Sequence, residues 1–263
     1  MSNRHAHKGI GTTRLHKGLA EVFTPGRHKG TRLAEKVVLF SKYRGEELGR
    51  LQKLAIHRFH DDKIFDLRPE ITDIPDRVVL TAYSQFFDEL FFFGSLGGSQ
   101  RFKVQFDSKL VDKDGEPYKF SEYEVVNSEN GTLSQMYELV MLQQRGENRY
   151  YRLQTALSVL LQSMCQIFLV LWKCQMSHCS ETWGKHGDGW AWQDMALAIE
   201  DALSDRNFLN LDIPLDRTRM LANALKHSPT SLKKEQLRKW RIDPKELASF
   251  TGEKKKWYTK LFS

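Results

Sequence analysis

Within the thirteen residues from Cys174 to His186 the chain carries two thiols and two imidazoles: Cys174, His178, Cys179 and His186. That donor set suits a closed structural zinc site, which keeps no position open for water and has no hydrolytic power. The spacing Cys-x3-His-Cys departs from finger-type sites, and ligands at adjacent positions 178 and 179 work against tetrahedral geometry, so ordinary buried cysteines are the competing reading. Cys165 lies inside an apolar stretch and reads as inert packing rather than as a nucleophile. The sequence has no Gly-x-Ser-x-Gly elbow and no P-loop. Glycine-rich Gly94-Ser95-Leu96-Gly97-Gly98 lacks the Lys-Ser/Thr of a phosphate cradle and precedes a strand. Near the end, Lys254, Lys255, Lys256, Trp257 and Tyr258 interleave cations with rings, as a single-strand or phosphate contact does; a solvated helix end explains them equally simply.

The charge is placed unevenly. Residues 1–60 hold thirteen Lys/Arg to four Asp/Glu, and residues 217–263 hold the same numbers, in a chain whose net charge is +7. The stretch 61–216 is therefore acidic, and the pattern is that of a folded core with cationic ends. Cationic arms attract polyanions by counterion release, which makes DNA or RNA the expected partner and a protein the alternative. Three clustered cysteines and a polar, basic N-terminus imply a reducing intracellular compartment, the nucleus ahead of the cytoplasm.

The elements that would position these residues follow from periodicity. Residues 1–32, with the recurring His7-Lys8-Gly9, His16-Lys17-Gly18 and His28-Lys29-Gly30, read as a flexible basic arm. Residues 33–74 form a helical extension with Leu39, Tyr43, Leu48, Leu51 and Leu54 at helical intervals. A core spans 75–215, and 216–263 is a basic helical extension. In the core, Asp76 is a candidate cap for a helix presenting Val79, Tyr83, Phe86, Phe87 and Leu90 on one face. Phe102–Phe106, Tyr123–Val126 and Met136–Leu142 are strand candidates, the last two joined through Glu129-Asn130-Gly131. Leu153–Trp172 contains no charged residue, but Gln154, Thr155, Ser158, Gln162, Ser163 and Gln166 make it too polar for a simple membrane anchor, so it predicts a buried core helix and no membrane partner.

Three stretches together resemble the SprT-like family, the zincin fold of the Spartan DNA–protein crosslink protease. Tyr83–Leu96 is similar to the family's helix ending in an aromatic, a short gap and Gly-x-Leu before a strand. Leu160-Leu161-Gln162-Ser163-Met164-Cys165-Gln166-Ile167-Phe168 resembles its Leu-Leu-His-Glu-Met-x-His, and His186-Gly187-Asp188-Gly189-Trp190 resembles the turn that supplies its third zinc ligand. Cys174 and Cys179 are similar to a cysteine pair of fungal members. The resemblance covers about residues 75–203. It implies an α+β, zincin-like core of helices on a small mixed or antiparallel sheet, with basic helical flanks.

It also implies that the family's chemistry is lost. A zinc peptidase needs imidazoles at i and i+4 and a carboxylate beside the first to take a proton from the metal-bound water. Here those positions hold Gln162, Gln166 and Ser163, neutral groups unable to serve either role near neutral pH, and His186 alone remains of three ligands. The expectation is a pseudoenzyme without a catalytic residue or catalytic zinc, acting as a binding module. The alternatives are a metallopeptidase using His178, His186 and Asp188 or Glu181, and a protein-interaction scaffold that binds no nucleic acid.

Overall fold

The computed structural model describes residues 7–17, 23–68, 70, 74–97, 102–110, 118–126, 133–143, 148–174, 176, 189–227 and 232–251. The chain is α+β. In order it forms α1 (Thr12–His16), α2 (Gly30–Ser41), α3 (Arg50–Asp61), α4 (Asp76–Phe91), β1 (Phe102–Leu110), β2 (Tyr118–Val126), β3 (Leu133–Gln143), α5 (Arg149–Trp172), α6 (Trp190–Ser204), α7 (Arg217–His227), α8 (Lys234–Lys239) and α9 (Pro244–Thr251).

The central element is α5. Its apolar residues fall on nearly every side, so it must be enclosed, and Leu153, Leu157, Leu160, Met164 and Phe168 are fully buried. By length and composition this helix could cross a membrane, yet 72% of its most apolar window lies inside the protein. Asn148 starts it, its side chain accepting from the Tyr150 and Tyr151 amides. At its far end the last carbonyls would be orphans. They are met by an N-terminal segment: Gly26 N–H donates to Leu171 O, His28 N–H to Trp172 O at 3.2 Å, and Cys174 N–H returns to His28 O at 2.7 Å.

α4 packs on α5 and α3. Pro75, not the expected Asp76, is its N-cap. Asp76 instead holds Arg152 at 2.6 Å and Arg149 at 3.5 Å, tying the starts of α4 and α5 together. After α4 the backbone turns through two left-handed residues, Phe93 at φ 65° and Gly94 at φ 67°. Such a φ is uncommon for a phenylalanine; burial of its ring against Phe23, Phe40 and Phe168 offsets the strain.

The sheet has strand order β1-β3-β2 and is mixed. β1 runs parallel to β3, with Phe102 opposite Tyr137 and Val104 opposite Leu139. β2 runs antiparallel to β3, from Tyr118 opposite Met141 to Val126 opposite Leu133. The parallel β1–β3 pair rules out the wholly antiparallel form of the expectation. The connecting residues 129–131 lie outside the described residues.

Two expectations at the N-terminus are corrected. The described part of residues 1–32 is no free arm: Leu15, Phe23 and His28 are buried, and Leu15 and Phe23 join the main core. Single apolar groups spaced along a polar segment leave no periodic signal, but each fills a place between existing helices. The helical extension expected over 33–74 is not one continuous helix: the turn at Gly45, φ 52°, separates α2 from α3, and no α-helix follows α3 among its described residues. Buried Gln52 holds that break together: its amide donates to Phe40 O and Leu90 O at 3.1 and 2.9 Å and its oxygen accepts from Gly49 N–H.

His28 is the polar pin of this region. Nδ1 donates to Lys8 O at 2.8 Å while Nε2 accepts from Thr24 N–H at 2.9 Å, which requires the neutral ring. Burial lowers its pKa below the usual histidine value. A depressed histidine contributes stability at pH above its unfolded value near 6.5, and this is lost as pH falls through that value toward the folded one. Thermal unfolding should therefore shift down as pH falls below the usual histidine value near 6.5. His28→Ala should remove this component of the pH dependence and cost about 1–3 kcal/mol at neutral pH, because two main-chain groups lose their partner. An unchanged pH profile in that variant would contradict the assignment.

Candidate functional site

Along α5 four polar residues form one stripe, Gln154, Ser158, Gln162 and Gln166, each four residues from the next. The connection after α6 lies across its upper half. Gln154 Nε2 donates to Asp212 O at 2.6 Å, Ser158 Oγ to Pro214 O, and Gln162 Nε2 to Ser158 Oγ at 3.1 Å. A main-chain segment without a strand partner thus finds hydrogen-bond partners in the stripe. Beyond that segment, the stripe and the start of α7 enclose a groove of about 580 Å3, lined by Gln154, Ser158, Gln162, Pro214, Asp216 and Arg219.

Gln162 and Gln166 are half-buried on that common face, as an i, i+4 pair requires, whereas Ser163 points inward and is 3% exposed. Trp192 Nε1 from α6 donates to Gln162 O at 3.3 Å and fixes the helix at this turn. The residues do not fit a zinc ion. The Gln162 amide nitrogen is a donor already used on Ser158, amide oxygens are weak metal ligands, and buried Ser163 supplies no carboxylate. Among the described residues no group of three or more His, Cys, Asp or Glu could hold a metal ion.

Of the other candidates, Cys174 is 2% exposed beside His28, and His178, Cys179 and His186 lie outside the described residues, as do Glu181 and Asp188. Cys165 is fully buried and burial pushes its thiol pKa up, which suits packing and not nucleophilic chemistry. Lys254, Lys255, Lys256, Trp257 and Tyr258 also lie outside the described residues.

The basic ends have two destinations. Many cations join the acidic middle of the same chain or a neighbouring acid: Arg44 to Asp205, Arg58 to Glu89, Arg217 to Glu200, Lys239 to Asp194 and Arg241 to Asp201. Part of the charge asymmetry is therefore intramolecular. Others stay free: Arg14, Lys17, Arg27, Lys29, Lys42 and Arg50 are exposed and form no ion pair among the described residues. Several gather at one corner. His16 stacks on Tyr43 with ring centroids 5.0 Å apart, and Gly49 lies so close to the His16 backbone that an added Cβ would come within 3.2 Å of its carbonyl oxygen. Lys17, Lys42 and Arg50 are the exposed chain neighbours of His16, Tyr43 and Gly49 at that corner. The sequence carries no sign of it, because it joins three segments through α1.

Asp88 is a further residue to which sequence reasoning gives no role beyond its helix. Its Oδ1 accepts from Leu96 N–H at 3.0 Å and Oδ2 from Gly97 N–H at 2.8 Å, so the carboxylate closes the turn after α4. Burial pushes its pKa up to about 7 against the pull of these donors. The signal that could have found it is an acid on an otherwise aromatic helix face, followed by Gly-x-Leu. Comparison with protein-family models, with curated proteins and with solved structures finds no match to this chain.

Proposed function

We propose that the chain is a catalytically inactive SprT-like protein with a zincin-like core, acting as a binding module for a nucleic acid. The observation that carries the loss of catalysis is the stripe on α5: where a zincin presents two imidazoles and a carboxylate, this helix presents two glutamines and a buried serine, and the first glutamine is bonded to Ser158. The order of elements supports the core assignment. A helix, the Gly94-x-Leu96 corner, three strands and the stripe-bearing helix follow one another, and α6 begins just after His186-Gly187 in the chain.

The polyanion part rests on the corner at α1. Exposed Lys17, Lys42 and Arg50 beside a stacked His16–Tyr43 pair combine the cations that neutralise phosphates with rings that stack on bases. Binding of a labelled single-stranded oligonucleotide should weaken steeply as salt rises. The slope of log affinity on log salt should become shallower by about 2 when Lys17, Lys42 and Arg50 are replaced by alanine, at roughly 0.7 for each phosphate no longer neutralised. No cleavage of a basic protein should occur with or without DNA. Salt-independent binding, or an unchanged slope in the triple variant, would remove the nucleic-acid reading. Cleavage abolished by a chelator would remove the inactive one.

A further inference from the structure

We propose that the cavity between α4 and β1 binds a small primary amine with an apolar body, its ammonium group set against Asp88. The cavity has a volume of about 240 Å3. One wall is the Ser84 and Asp88 side of α4. The opposite wall is Phe102, Val104 and Phe106, alternate residues of β1 that share one face of the strand, and Met164 of α5 closes the floor. The arrangement sets an apolar wall against a polar one of Thr81, Ser84, Gln85 and Asp88, of which Asp88 alone is charged, a composition that suits a small-molecule site.

Asp88 is 7% exposed, and no cation among the described residues pairs with it. Its partners are main-chain amides, whereas the neighbouring Glu89 has Arg58. Oδ1 and Oδ2 accept the Leu96 and Gly97 amides, the Ser95 amide adds its pull, and a carboxylate's four lone-pair sites still leave acceptor capacity. A buried carboxylate normally has a cation or a full set of donors, so an acid facing a cavity with no counter-charge among the described residues favours a ligand that brings one. Gly97 keeps the approach tight, since a Cβ there would lie 3.3 Å from Asp88 Oδ2. Size sets the body of the ligand: a dry cavity of about 150 Å3 accepts benzene, so this one admits a single ring with an aminomethyl arm.

The test is calorimetric titration of the full chain with benzylamine and with its neutral isostere benzyl alcohol, above the pH at which Asp88 ionises. Benzylamine should bind at least about tenfold more tightly than the alcohol, the discrimination an ion pair of modest strength provides. Ser84→Leu, which fills the cavity without touching the Asp88 hydrogen bonds, should weaken both probes by about tenfold or more while the unfolding temperature is kept. Asp88→Asn should bind the two probes alike. Equal affinity of amine and alcohol in the native chain, absence of saturable binding, or Ser84→Leu binding benzylamine as the native chain does would overturn the proposal.

Discussion

Arg217→Ala should release the C-terminal helices α7–α9 from the core while the core stays folded. Arg217 is the central fastener of that unit. Its guanidinium pairs with Glu200 on α6 and also donates to Trp240 O, and its own carbonyl accepts from Gln193 Nε2 at 3.1 Å. The ion pair is largely buried, with side-chain exposures of 13% and 20%. Removing one partner of such a pair leaves the other charge poorly solvated, at a cost of about 2–4 kcal/mol. Two more ion pairs, Lys239–Asp194 and Arg241–Asp201, are exposed and hold less. Behind these contacts the unit has a separate small core of Leu221, Leu225, Leu237, Trp240 and Leu247, on which Trp190 of α6 packs. Hydrogen exchange of residues 221–247 should rise by a factor of roughly 30 or more in the variant, at tenfold per 1.4 kcal/mol, and exchange in α5 should not change. Equal protection of α7–α9 in both proteins would show that apolar packing alone docks the unit.

The basic C-terminal segment and the acidic middle are both legible in the sequence, but a charge count along the chain does not tell a cation aimed at solvent from one aimed at Glu200. The long uncharged helix is legible as buried, because six polar residues in twenty argue against lipid. Its polar stripe is not, since the partners are the carbonyls of Asp212 and Pro214, more than fifty residues away. The face of α4 and the cores of the strands follow directly from periods of 3.6 and 2. Strand pairing does not. Alternation in Phe102–Phe106 says that one face is buried, and only the fold says that the neighbour is β3 in parallel register. At the N-terminus composition misleads, because a segment can be poor in apolar residues and still be pinned by Leu15, Phe23 and neutral His28. The exposed cations near Tyr43 cannot be grouped without knowing that α1 folds back over the α2–α3 turn.

On the proposed reading, positions 162 and 166 occupy the places of two zinc ligands on a zincin-like framework whose chemistry has been replaced. The double variant Gln162→His/Gln166→His should then regain the metal site. Both positions are half-buried on one face of α5, one helical turn apart, so two imidazoles there present their nitrogens to a common point. Neither change disturbs the apolar side of the helix, and Ser158, freed from Gln162, keeps its bond to Pro214 O. A third ligand is needed for tight binding, and the resemblance assigns it to His186. The effect is large in kind: tetrahedral zinc sites with three protein ligands hold their metal through purification, whereas two neutral amides do not. Native mass spectrometry of the native chain, the double variant and the double variant carrying His186→Ala decides the matter. The double variant should hold one more zinc per chain than the native protein, and His186→Ala should remove it again. Identical zinc content in the native chain and the double variant would contradict the zincin-like placement of α5.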